Sequence, residues 1–114
     1  MANTEFYLKK GDTAPSITAI CKDENGDVVP LTAAIGVTFS LIDPGTDTPK
    51  IDKAAAVIED AGAGKVRYDW ASGDVDIPGE YNGEFEVTWS AGGTTTFPNF
   101  RYIKIEILDD IPAT

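Results

Sequence analysis

Histidine is absent from the 114-residue sequence, and cysteine occurs once, at Cys21. A single thiol excludes an intramolecular disulfide, and the usual ligands of a structural zinc ion are missing. Without histidine, a serine-protease-like triad and most general acid–base schemes at neutral pH lack their usual base. The sequence therefore predicts a protein that is not an enzyme and that carries no metal and no other cofactor.

Basic residues and long apolar runs are also scarce. Nine Lys and Arg stand against nineteen Asp and Glu, which gives a net charge of −10. Because phosphates and anionic lipids attract basic surfaces, we expect no nucleic-acid partner and no membrane partner. No apolar run approaches the roughly 20 residues of a membrane span, and the first residues do not resemble a signal peptide. A free thiol favours folding in a reducing cytoplasm.

Apolar residues instead recur at every second position. The segments 17–21, 37–41, 66–70, 85–89 and 103–107 alternate apolar with polar side chains. This period of two is typical of strands that bury one face, as strands of antiparallel sheets do. Eleven glycines and seven prolines supply turns between the strands.

Two weaker apolar segments, 5–8 and 54–58, complete a set of about seven to eight short strands. The pair Gly92-Gly93 predicts the tip of a hairpin. Such a set predicts an all-β fold, an immunoglobulin-like antiparallel β-sandwich. We expect one domain over residues 1–114, with its core at about 5–108 and a frayed tail at 109–114.

Large aromatic side chains are expected to anchor the core. They are Phe39, Tyr68, Trp70, Tyr81, Phe85 and Trp89. Trp70 and Trp89 are expected to fill the middle between the two sheets. Tyr81 opens a strand after Pro78-Gly79, where immunoglobulin-like sandwiches place a tyrosine whose hydroxyl bonds back to the backbone.

Acidic residues form two candidate sites. The sequence Asp-Glu-Asn-Gly-Asp at 23–27 has calcium-ligand residue types but lacks the flanking helices and distal glutamate of an EF-hand, so an ordinary turn is favoured. Asp69, Asp74 and Asp76 cluster near Trp70, as in a sugar site, but a sandwich of this size has little room for a catalytic cleft. A non-catalytic sugar-binding face with exposed aromatics such as Tyr7 or Phe100 stays open.

Several short motifs follow one another in a recognisable order. They are Gly11-Asp12-Thr13 with Pro15, Asp23 to Gly26 with Leu31-Thr32, Val37 to Leu41, Gly64 to Trp70, Gly79-Glu80-Tyr81 with Glu84-Phe85, and Phe97-Pro98. In this order they resemble the N-terminal immunoglobulin-like domain of phage baseplate upper proteins, which are structural proteins of tailed phages. The resemblance covers about residues 7–108.

The resemblance implies a non-enzymatic structural or adaptor protein of the virion, in the baseplate or tail, made in the host cytoplasm. Its implied partners are other virion proteins and further copies of the chain. The alternatives are a carbohydrate-binding module for host-surface recognition and a capsid or neck decoration protein.

Exposed edge strands and loops invite pairing with a neighbouring subunit, so we expect docking through segments 5–8 and 94–102. The predicted docking residues are Phe6, Tyr7, Leu8, Phe97, Phe100, Arg101 and Tyr102. For Phe97 and Phe100 the sequence leaves open whether they pack on the core or face a partner.

Overall fold

The structure is a computed structural model that describes residues 5–98 and 102–109. These residues form nine strands and no helix. The strands are β1 (Glu5–Lys9), β2 (Ile17–Ile20), β3 (Ala34–Asp43), β4 (Thr48–Ala55), β5 (Val57–Asp60), β6 (Lys65–Tyr68), β7 (Gly79–Trp89), β8 (Thr94–Phe97) and β9 (Ile103–Leu108). The larger sheet has the order β1-β9-β7-β3-β4 with β8 beside β7, and the smaller sheet has the order β2-β6-β5. In the described part of the chain no helix has the length and apolarity of a membrane span.

The two sheets form the predicted immunoglobulin-like sandwich. The order β9-β7-β3-β4 corresponds to strands G, F, C and C′ of a variable-type domain, and β2-β6-β5 corresponds to B, E and D. The predicted strand at 54–58 is in fact two strands, because the chain leaves the larger sheet after β4 and enters the smaller one with β5. This crossing and β8, a strand that the sequence did not predict, give nine strands in the described residues where about seven to eight were expected.

One strand pair departs from the expected antiparallel arrangement. β1 runs parallel to β9, from Glu5 opposite Lys104 to Lys9 opposite Leu108. After β1 the chain turns toward the smaller sheet, and the Lys10 N–H still donates to the Leu108 carbonyl at 2.7 Å. The N-terminal strand therefore forms one edge of the larger sheet.

β7 is the central strand of the larger sheet. On one side it pairs with β3, and on the other it pairs first with β9 and then with β8. β8 and β9 therefore lie end to end along the same side of β7. Phe97, the last residue of β8, faces Phe85, and Ile103, the first residue of β9, faces Gly83.

The core is built around Phe39 of β3. Its ring stacks on Tyr68 of the opposite sheet at a centroid distance of 4.8 Å and lies 4.9 Å from Phe85 and 5.7 Å from Trp70. These side chains and Tyr81 are buried. The Trp70 indole N–H donates to the Pro15 carbonyl at 3.1 Å, so its one polar group is satisfied.

Trp89 does not fill the middle of the core, and that part of the prediction is wrong. It is the last residue of β7 and is only half-buried against the core. Its indole N–H donates across the hairpin to Thr95 Oγ1 at 2.9 Å. The hairpin tip itself lies at Gly92-Gly93, as predicted, with the Trp89 N–H bonded to the Gly93 carbonyl at 3.1 Å.

The tyrosine corner is confirmed. The Tyr81 hydroxyl donates to the Ile77 carbonyl at 2.8 Å, which ties the start of β7 to the loop before it. Burial raises the pKa of Tyr81, with a further contribution from the charge of Asp43. The hydroxyl therefore stays protonated and remains a donor at neutral pH.

Candidate functional site

The structure divides the predicted docking residues between surface and core. Tyr7 and Tyr102 are exposed, at 55% and 48%. Leu8 and Phe97 are buried, at 3% and 4%, so their predicted docking role is wrong. Both belong to strands whose alternate residues point toward the opposite sheet, and neither side chain reaches the surface.

Of the remaining predicted docking residues, one is half-buried and two lie outside the described residues. Phe6 is half-buried, and its ring centroid lies 6.1 Å from that of Trp70. Phe100 and Arg101 lie outside the described residues. Among the docking residues that the structure describes, the exposed ones are therefore Tyr7 and Tyr102.

The described strands of the two predicted docking segments, β1 and β8, nevertheless lie on the same side of the larger sheet. β1 is the outermost strand there, next to β9, and β8 continues the track of β9 along β7. We call residues 5–9 and 94–97 together the β1 edge. Its strands come from opposite ends of the chain, and only the fold brings them together.

The opposite edge of the larger sheet, β4, is interrupted. Its pairing with β3 shifts register twice, and Lys53 adopts a left-handed φ of 51°. The Lys53 N–H donates to Ser40 Oγ at 3.0 Å, and Pro49 lacks an N–H altogether. Bulges and prolines hinder the addition of a further strand, whereas β1 keeps an unbroken register with β9.

The outer face of the smaller sheet is occupied by ion pairs. Glu59 contacts Lys65 at 3.3 Å and Arg67 at 3.4 Å, and the Arg67 Nε–H donates to Asp69 at 2.9 Å. The Ser16 hydroxyl also donates to Asp69, at 2.5 Å. The hydrogen bond from Ser16 and then that from Arg67 lower the pKa of Asp69. These polar groups satisfy one another and offer little to a ligand.

The other two carboxylates of the predicted acidic cluster have separate partners. Asp74 accepts hydrogen bonds from the Tyr68 hydroxyl at 2.5 Å and from the Ala71 N–H at 2.7 Å. Burial and then the hydrogen bond to Asp74 raise the pKa of Tyr68. Asp76 instead pairs with Lys50 Nζ at 2.6 Å. The cluster is thus three separate structural contacts and not a pair of carboxylates facing one substrate.

The acidic turn at 23–27 uses its own carboxylate internally. Asp23 Oδ1 accepts hydrogen bonds from the N–H groups of Asn25 at 2.9 Å and Asp27 at 3.0 Å. This is the ordinary turn that the sequence favoured. Among the described residues, no group of three or more His, Cys, Asp or Glu side chains is placed to hold a metal ion.

Cys21 lies fully buried next to the smaller sheet. Burial raises the pKa of its thiol to about 11. The thiol is therefore protonated at neutral pH and packs as a small apolar side chain.

A pocket of about 180 Å³ opens beside β1. It is lined by Tyr7, Pro44, Glu80, Tyr81, Asn82, Lys104, Ile105 and Glu106. The sequence did not predict this pocket, although it indicated Tyr7 as an exposed aromatic residue. The polar alternate positions of β7 and β9 are its one signal in the sequence, and the position of Pro44 follows only from the fold.

The fold and these features define an immunoglobulin-like β-sandwich whose larger sheet has a regular edge strand, β1, with a pocket beside it. No family model matches the sequence, and no curated protein matches it. Among solved structures, the chain is similar to CopC from Methylosinus trichosporium OB3b, with a TM-score of 0.56 and 10% sequence identity. The alignment covers 98% of this chain and 91% of that one. At this identity the likeness shows the β-sandwich fold alone.

Proposed function

We propose that the chain is a non-enzymatic structural or adaptor protein of a tailed-phage virion, in the baseplate or tail, that binds its neighbours through the β1 edge. The ordered motifs that resemble the N-terminal domain of phage baseplate upper proteins support this role. The immunoglobulin-like fold that the resemblance implies is the fold of the chain.

The regular β1 strand is the observation that carries the proposal. An edge strand presents backbone N–H and C=O groups to a strand of a partner. β1 keeps its register with β9 over all five residues, whereas the register of β4 with β3 shifts twice. Tyr7 adds an exposed aromatic side chain at this edge, a residue type enriched in protein interfaces. In a symmetric particle, each copy would repeat the same contact.

Competitive incorporation into particles tests the proposal. Wild type and a tagged Tyr7→Asp variant are co-expressed during particle production, and their ratio is measured by mass spectrometry in gradient-purified virions. We expect the variant to be depleted at least about tenfold, a loss equivalent to about 1.4 kcal/mol of binding free energy. The side chain of Tyr7 is exposed, so the fold should be retained.

Val57→Asp is the matched control, because Val57 is an exposed apolar residue on β5, a strand of the other sheet. It should enter particles as wild type does. Absence of the wild-type chain from purified virions would refute the virion role. Equal incorporation of Tyr7→Asp and wild type would refute the β1 edge as the docking surface.

A further inference from the structure

The pocket beside β1 combines polar side chains from two neighbouring strands. Glu80 of β7 faces Glu106 of β9, and Asn82 faces Lys104. Residues two apart on a strand project from the same face of the sheet, so these four side chains share the outer face. Tyr7 stands opposite Glu106 on the other side of β9.

None of these four polar side chains has a partner within the described residues. The hydrogen bonds and ion pairs of that part of the chain do not use the side chains of Glu80, Asn82, Lys104 or Glu106. The outer face of the smaller sheet differs, since there Glu59, Arg67 and Asp69 pair with one another or with close neighbours. The pocket thus gathers hydrogen-bonding groups that the described residues leave without a partner.

Two less polar side chains flank this group. Tyr7 is 55% exposed, and Pro44 comes from the turn between β3 and β4. Ligand sites typically combine such apolar walls with a few polar groups that orient the ligand. A sugar ring carries both features, because its C–H groups form an apolar face and its hydroxyls lie around the rim.

We propose that this pocket binds a neutral saccharide, with the sugar ring against Tyr7 and its hydroxyls on Asn82, Lys104 and the two glutamates. The carboxylates accept hydrogen bonds, the ammonium donates them, and the amide does both, which matches a hydroxyl-rich ligand. The two carboxylates disfavour an anion, and Lys104 offsets part of their charge, which weakens the attraction for a cation. The volume of about 180 Å³ is below that of pockets for drug-sized ligands and suits one sugar ring.

A nitrogen–proton NMR titration of the whole chain tests this proposal. The probes are the methyl glycosides of glucose, galactose and N-acetylglucosamine, with arginine amide as a cationic comparison. We expect at least one glycoside to shift the amide signals of residues 80–82 and 104–106 saturably, with a dissociation constant of about 1–10 mM. Arginine amide should not displace it.

Variants at the pocket and outside it provide the controls. Asn82→Ala and Tyr7→Ala should each weaken binding at least about tenfold. Tyr102→Ala, at an exposed tyrosine that does not line the pocket, should bind as wild type does. The proposal is overturned if no glycoside gives a saturable shift, if the pocket variants bind normally, or if arginine amide competes. Particle incorporation is a separate readout, so loss of sugar binding in Asn82→Ala leaves the assembly proposal untouched.

Discussion

At the scale of single residues, two glycines with left-handed backbones differ in their surroundings. Gly64 has a φ of +66°, and a Cβ there would lie 2.7 Å from the Val29 carbonyl oxygen. Gly26 has a φ of +84° but open space around it. The first position therefore combines an unfavourable conformation with a backbone clash, and the second has the unfavourable conformation alone.

We predict that Gly64→Ala lowers the free energy of unfolding by about 2–4 kcal/mol, and that Gly26→Ala lowers it by about 1–2 kcal/mol. Urea denaturation of both variants measures the difference. Equal losses would show that the contact with Val29 relaxes at no cost.

The tyrosine corner gives a second prediction at this scale. Tyr81→Phe removes the hydrogen bond to the Ile77 carbonyl and should lower the free energy of unfolding by about 1 kcal/mol. Tyr102→Phe is the control, because that side chain is exposed. Denaturant unfolding of both variants is the measurement, and an unchanged stability of Tyr81→Phe would contradict the role given to the corner.

Individual core residues could largely be predicted from the sequence. Phe39, Tyr68 and Phe85 occupy apolar positions of alternating segments and are buried. Trp89 has the same pattern but stands at the end of its strand, where burial depends on how far the facing sheet extends. Periodicity gives the face on which a residue lies and does not give its depth.

At the scale of strands and loops, Lys50 joins β4 to the loop before β7. Its Nζ donates to the Gly73 carbonyl at 2.8 Å and pairs with Asp76 at 2.6 Å. The hydrogen bond from Lys50 lowers the pKa of Asp76. A carboxyl with a lowered pKa stabilises the fold above its ordinary pKa, and this contribution is lost as the pH falls through the lowered value.

We predict that Lys50→Met speeds amide hydrogen exchange in residues 71–77 at neutral pH, because the loop loses both contacts to β4. The difference from wild type should shrink at a pH below the lowered pKa of Asp76, although the bond to Gly73 remains there. Lys53→Met is the control on the same strand, because Lys53 is exposed and its ion pair with Glu86 is long, at 3.9 Å. Unchanged exchange in Lys50→Met would contradict the anchoring role.

The arrangement of strands was harder to predict than their existence. The alternation found most strands, but the crossing at Ala56 and the parallel pairing of β1 depend on contacts between distant parts of the chain. The pocket has the same origin, because Tyr7, Pro44 and Lys104 come from separate segments. Local patterns do not carry this information.

At the scale of the whole molecule, the net charge of −10 means that negative charges repel one another. The half-buried carboxyl group of Glu84 is one place where this repulsion affects the fold. Desolvation, and then the charge of Glu86, raise the pKa of Glu84. A carboxyl with a raised pKa favours the fold below its ordinary pKa, and this contribution is lost as the pH rises through the raised value. Charged Glu84 therefore weakens the fold at neutral pH.

We predict that Glu84→Gln is more stable than wild type at pH 7 and that its advantage shrinks toward pH 4. Glu24→Gln removes the same charge from an exposed turn and controls for the general reduction in repulsion. Urea denaturation at the two pH values measures both variants. A gain for Glu84→Gln no larger than that for Glu24→Gln would refute the specific role of Glu84.

We propose above all that the sandwich binds its neighbours in a virion through the β1 edge. Amide hydrogen exchange, compared between the free chain and gradient-purified particles, tests it most directly. We predict that residues 5–9 become protected in particles, while those of β2 and β5 exchange as in the free chain. Exchange of residues 5–9 at the same rate in both states would contradict the claim.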